Sequence, residues 1–142
     1  MKPAALEVLD PIVTVCRKIP LTYARSTKPL QVRKSLLLRT LGLLIDTSQS
    51  VRERFTFEQQ AAIAFLTQTL RKNYDHAFVM GFDITAKVTQ DFTDDIEKLA
   101  AGIHLLRPST SITAMYDAVN SACDKLLKRP QTGPVRRLIV LV

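Results

Sequence analysis

Glycine is scarce in this chain. Gly42, Gly81, Gly102 and Gly133 are the only four among 142 residues, and no two stand close enough to build a phosphate-cradling loop. Nucleotide binding through a P-loop or a GxGxxG turn is therefore unsupported. Cysteine is equally sparse: Cys16 and Cys123 lie far apart with no CxxC spacing, which excludes a zinc ribbon or a thioredoxin-like motif. They leave open either one long-range disulfide or, as the commoner state, two buried thiols. His76 and His104 are isolated, with no HExxH and no Cys/His cluster, so zinc hydrolase chemistry lacks its ligands. Their plain reading is a loop histidine and a helix-face histidine. No serine sits in a GxSxG elbow, which argues against a serine hydrolase. Long apolar runs are missing too: no stretch reaches the ~18 residues that a membrane-spanning helix needs.

What is present suits one globular domain. Hydrophobic residues make up 46% and charged residues 23% of the chain, ordinary values for a single soluble unit. At this length about two thirds of the unfolded surface can be buried, so folding needs neither disulfide nor metal. The net charge is +7, and it is unevenly placed. Residues 1–45 hold eight Lys/Arg against Glu7 and Asp10, whereas residues 46–142 hold twelve basic and eleven acidic groups. The basic character belongs to a leader, residues 1–36, which also carries Pro3, Pro11, Pro20 and Pro29. Its first residues, Met1 to Pro11, are broken by two acids and a second proline before a signal-peptide core could form. As it stands the start reads as cytoplasmic, and the localisation is left open.

Beyond the leader the pattern becomes regular. Leu36 to Ile45 is an apolar run interrupted only by Arg39, Thr40 and Gly42, the signature of a strand buried on both faces. Phe55 to Leu70 places Ala62, Ile63, Phe65, Leu66 and Leu70 at helical spacing, with Glu58, Gln59, Gln60, Gln68 and Arg71 on the other face. Ala77 to Phe82 is a second buried strand ending at Asp83, and Ala86 to Phe92 alternates more loosely, as an edge strand does. Asp94 followed by Glu97 has capping-box spacing and predicts a helix to Leu106. A further helix is predicted from about Thr113 to Lys128, with Ala114, Ala118, Ala122 and Cys123 packing and Lys125, Lys128 and Arg129 near its C-terminus. Pro130 and Gly133 end it, and Leu138 to Val142 is a last buried strand. The order strand, helix, strand, strand, helix, helix, strand predicts an α/β sheet with helices on both faces. In such sheets ligands gather at the C-terminal ends of the strands, where Asp46 and Asp83 both stand.

Asp46, Ser48 and Ser50 alternate directly after the first buried strand. One carboxylate and two hydroxyls form an oxygen-only donor set, which suits a hard cation. Mg²⁺ keeps several waters and commonly uses one or two carboxylates, so a set rich in hydroxyls fits it better than Ca²⁺. The plainer alternative is that the run caps the following helix, as Ser, Thr and Asp often do.

Leu43 to Ser50, Phe57 to Ala62, Ala77 to Asp83, Asp91 to Asp95 and Thr113 to Ala118 together resemble a bacterial von Willebrand factor type A domain, nearest to the subfamily described from acidobacteria. The resemblance covers residues 37–142, and the leader is not recognisably part of it. It implies a Rossmann-like sheet, mostly parallel with one antiparallel edge strand. It also implies a metal-ion-dependent adhesion site (MIDAS) for Mg²⁺ or Mn²⁺, whose open coordination position accepts a carboxylate from a protein partner. Binding is implied, and catalysis is not. Matched residue by residue, Asp46, Ser48 and Ser50 correspond to the first metal loop and Thr113 to the threonine of the second. Asp83 then acts indirectly from the neighbouring strand, and Asp117 has the plain role of favouring a helix N-terminus.

The chain departs from the family pattern twice. The second loop reads Pro108-Ser109-Thr110-Ser111-Ile112-Thr113, with β-branched Ile112 where glycine is usual. The third-loop aspartate of a Ser/Thr-Asp-Gly turn is missing after Leu138 to Val142, so the expectation is a domain incomplete at its C-terminus. A dication and one carboxylate about 4 Å apart attract by roughly 8 kcal/mol gross at an effective dielectric of 20, so the loss of a further carboxylate weakens such a site. Two rival readings follow: a gene fragment that binds no metal, and nucleic-acid binding through the basic leader, for which a solvated arm is the simpler account of the charge.

Overall fold

The computed structural model describes residues 37–142. The basic leader, residues 1–36, lies outside them, as does Cys16 and with it the question of how buried Cys123 is paired.

Four strands form one sheet in the order β3-β2-β1-β4. They are β1 (Leu38–Asp46), β2 (His76–Phe82), β3 (Ala86–Thr93) and β4 (Val135–Leu141). Three helices, α1 (Phe55–Thr69), α2 (Ile96–His104) and α3 (Met115–Lys128), complete the described part of the chain. Strand β1 is central and runs parallel to both β2 and β4, while β3 is the antiparallel edge. The mostly parallel sheet with one antiparallel edge strand is the arrangement expected from the sequence.

The continuous apolar run of β1 has a simple cause: both of its faces are covered. Leu41, Leu43 and Ile45 point to one side, where they meet Ala77 and Val79 of β2, Val140 of β4, Phe55, Ala62 and Leu66 of α1 and Leu99 and Ile103 of α2. Leu44 points to the other, with Phe78, Met80 and Phe82 of β2, Ile139 of β4 and Ala118, Ala122, Cys123 and Leu126 of α3. Alternation with period two thus survives inside a strand that reads as uniformly apolar. Gly42 is needed at its position, because a Cβ there would come within 2.7 Å of the Phe78 ring.

The sheet is locked at the opposite end from Asp46 by a buried carboxylate. Asp75 is fully enclosed, and it accepts bonds from Arg39 Nη2 at 2.7 Å and Arg71 Nη2 at 2.8 Å. The backbone N–H groups of Arg39 and Arg71 add bonds of 3.1 and 3.0 Å. The same guanidinium groups reach on to the carbonyls of Thr69 and Leu37. Burial pushes the Asp75 carboxyl up, but the bonds from Arg71 and Arg39 outweigh it and hold the group well below the ordinary carboxylate range.

Several sequence expectations need correction. The cap of α2 is Asp95, not Asp94: Asp95 Oδ1 accepts from the N–H groups of Glu97 at 2.9 Å and Lys98 at 3.4 Å. Asp94 accepts instead from the Asn73 N–H at 2.9 Å, tying the end of β3 to the turn before β2. Helix α3 begins at Met115, so Thr113 and Ala114 belong to the preceding loop. His76 is the first residue of β2 and not a loop residue. Glu58, assigned to the solvent face of α1, is half-buried and lies on the inward stripe with Phe55, Ala62 and Leu66.

Candidate metal centre

Strand β1 ends at Asp46, and the chain then turns through Thr47 and Ser48 into a single 3-10 turn, Gln49–Val51. Thr47 fastens this corner to the neighbouring strand, since its N–H and its hydroxyl both donate to the Phe82 carbonyl, at 2.8 and 3.0 Å. Asp46 Oδ1 accepts from the Ser48 N–H at 2.7 Å, which orients the carboxylate. Its second oxygen, Oδ2, has no hydrogen-bond partner among the described residues.

The helix-capping alternative for these hydroxyls does not hold. Ser48 occupies the cap position of the 3-10 turn without a side-chain bond to it, and α1 is entered from Arg54, again without a side-chain cap. The Ser48 and Ser50 hydroxyls instead lie 2.9 Å from each other. Two hydroxyls at that distance, following a carboxylate with a free oxygen, form a compact set of hard oxygen donors.

The loop carrying Thr113 is bonded to the same corner. The Ser109 N–H donates to the Thr47 carbonyl at 2.7 Å, the Gln49 N–H to the Ser111 carbonyl at 3.0 Å and the Ala114 N–H to the Asp83 carbonyl at 2.6 Å. Thr113 therefore sits between two anchored positions, exposed, and its hydroxyl has no bond among the described residues. The concern raised by Ile112 is answered by the backbone: among the described residues Asn73 is the one non-glycine residue with positive φ. The loop closes without the conformation that would require glycine.

Asp83 directly follows β2, and its Oδ1 accepts from the Thr85 N–H at 3.0 Å. That bond, opposed by burial and aided by the Ser109 hydroxyl, lowers its pKa, so it stands as a carboxylate beside the loops. Three groups that hold the loops together were not singled out in the sequence: Thr47, Ser109 and the Ser111 carbonyl. Ser and Thr in loops are too common to be noticed without their bonds. Glu58 was also missed, although its spacing from Phe55 and Ala62 marks an inward position. Its Oε2 is buried with no partner, and its carboxyl is pushed up by burial, countered by Arg54 and reinforced by the negative charge of Asp46.

Asp46, Ser48 and Ser50 thus form one corner, with Thr113 and Asp83 on segments bonded to it. These residues fit a hard cation by donor chemistry: oxygen atoms only and few carboxylates. Among the described residues no cluster of three or more His, Cys, Asp and Glu could hold a metal.

A family model for the von Willebrand factor type A domain matches residues 41–142. The chain belongs to that family. No curated protein matches it. Among solved structures, this von Willebrand factor type A chain is similar to an uncharacterized membrane spanning protein from Vibrio fischeri, at 21% identity and a TM-score of 0.58, covering 66% of this chain and 52% of that one. It is similar to the N-terminal domains of the type V pili tip protein Mfa5 from Porphyromonas gingivalis, at 19% identity and a TM-score of 0.58, covering 74% and 19%. It is also similar to proximal thread matrix protein 1 from the mussel byssus, in a structure with a zinc-occupied MIDAS motif, at 14% identity and a TM-score of 0.58, covering 68% and 26%. The match spans about half, or less, of the length of these proteins. At such identities the likeness speaks for the fold, and von Willebrand factor type A domains are in general interaction modules. Among the described residues no helix is long and apolar enough to cross a membrane.

Proposed function

We propose that this domain is a divalent-metal-dependent protein-binding module, without catalytic turnover, that holds Mg²⁺ or Mn²⁺ through Asp46, Ser48, Ser50 and Thr113, with Asp83 acting through water. The observation that carries this reading is the 2.9 Å approach of the Ser48 and Ser50 hydroxyls in the turn that Asp46 opens, its carboxylate oriented by the Ser48 N–H. These are groups that no helix cap consumes. The bound cation would supply an open coordination position for a carboxylate. A relative whose MIDAS holds zinc, on the same fold, adds support for a divalent ion at this corner.

The surroundings favour a protein as the partner. Ile84, Ile112 and Tyr116 are 57%, 80% and 85% exposed, and they flank Asp83 and Thr113 in the chain. The Ala114-to-Asp83 bond draws their two segments together. Large apolar side chains left in solvent around a charged centre are the composition of a protein contact. The partner is therefore a protein that offers an acidic side chain to the cation and apolar surface around it.

The test is a calorimetric titration of the full chain with MgCl₂ and with MnCl₂, alongside Asp46→Ala. Binding by the parent chain and none by the variant is the expected result. Equal affinity in both would remove the site.

A further inference from the structure

A buried carboxylate oxygen without a protein partner is rare in a folded protein and calls for a bound water or an ion. Glu58 Oε2 is such an atom: it is shielded from solvent and makes no hydrogen bond. Glu58 lies in the first turn of α1, just past the metal loop, with its N–H bonded to the Arg54 carbonyl at 3.0 Å. It shares the inward stripe of Phe55, Ala62 and Leu66, which packs on the face of β1 that ends at Asp46. Arg54 partly compensates the charge, whereas the nearness of Asp46 makes it worse. Two carboxylates that repel each other, one at the end of the central strand and one in the first turn of α1 with a buried, unsatisfied oxygen, become mutually favourable once a dication stands between them or beside them.

We infer that Glu58 is a further carboxylate of the cation site, a positioning residue that balances the charge of the metal held by Asp46, Ser48 and Ser50. This rests on the metal-binding reading above. It assigns α1 a part in ion binding in addition to packing. It also gives the site two negative charges from residues 46–58 alone. Gln at this position keeps shape and polarity but removes the charge, and so separates the electrostatic role from packing.

The experiment compares the full-length parent chain, Glu58→Gln and Asp46→Ala by Mg²⁺ titration calorimetry, together with thermal unfolding with and without 10 mM MgCl₂. Expected for Glu58→Gln are an unfolding midpoint close to the parent's without metal, Mg²⁺ affinity at least tenfold weaker, and a smaller rise in midpoint on adding Mg²⁺. Parent-like affinity in Glu58→Gln, with binding abolished in Asp46→Ala, would overturn the role of Glu58 and leave the metal site standing. A lowered metal-free midpoint with unchanged affinity would likewise overturn it, assigning Glu58 to packing. No binding by the parent chain would overturn both readings together.

Discussion

Ser48 Oγ and Ser50 Oγ lie 2.9 Å apart, one on a buried and one on an exposed residue. In the proposed site the pair meets a ligand from solvent; for folding, the exposed Ser50 side chain contributes its one bond to the buried Ser48 hydroxyl. Ser50→Ala is therefore expected to cost about 1 kcal/mol of stability, the ordinary value of one lost hydrogen bond. Mg²⁺ affinity should fall about tenfold, equivalent to ~1.4 kcal/mol. Calorimetric titration and urea unfolding of the same preparation check both halves; a loss of stability with intact affinity would contradict this division.

Asp75 is the counterpart at the other end of the sheet, where structure alone is at stake. Asp75→Asn leaves Arg39 and Arg71, each with a side chain 31% exposed, without their shared anion. Removal of one partner from a buried pair costs about 3–5 kcal/mol; because the two arginines retain access to water, a value near 3 kcal/mol is expected from denaturant unfolding.

The same group sets an acid limit on stability. Its folded-state pKa is depressed, so its contribution is fully present above the unfolded value of about 3.9 and is lost as pH falls toward the folded one. Thermal midpoints of the parent should therefore drop steeply below about pH 4. Those of Asp75→Asn should be lower at neutral pH and should fall less over the same acid range.

Gly102 places α2 against β3. A Cβ there would stand 2.4 Å from Gln90 Cβ, an atom too near the backbone to swing aside. Alanine gains up to about 1 kcal/mol in helix propensity, against roughly 1–3 kcal/mol for overpacking. Gly102→Ala is expected to be net destabilising by about 1 kcal/mol in urea unfolding. A stabilised variant would show that the α2–β3 contact yields more easily than its geometry implies.

The architecture was readable where one physical cause dominates. Burial on both faces made β1 a continuous apolar run, and the 3.6-residue period marked the helices. The candidate metal loop was readable because Asp46, Ser48 and Ser50 alternate within one short stretch of chain. What escaped detection depends on contacts between distant segments: the Asp94 bond to Asn73 that moves the α2 cap to Asp95, and the two arginines that converge on Asp75 from 36 and 4 residues away. Glu58 was placed on the wrong face because a charged residue reads as solvent-exposed until the burial of its neighbours, Phe55 and Ala62, is known.

Asp83 offers a graded test of the proposed site. It follows the neighbouring strand and lies outside the Asp46–Ser50 loop, with its Oδ1 engaged by the Thr85 N–H, so its proposed action on the cation is at a distance and through water. A dication and a carboxylate about 7 Å apart in a water-like dielectric attract by roughly 1.2 kcal/mol, close to an eightfold change in affinity. Asp83→Asn preserves an oxygen for the Thr85 bond and removes only the charge, so Mg²⁺ affinity should fall by about that factor while Asp46→Ala abolishes it. Raising the salt concentration should shrink the Asp83 effect, because a solvent-separated attraction is screened at short range. Abolished binding in Asp83→Asn at every salt concentration would instead make Asp83 a direct ligand.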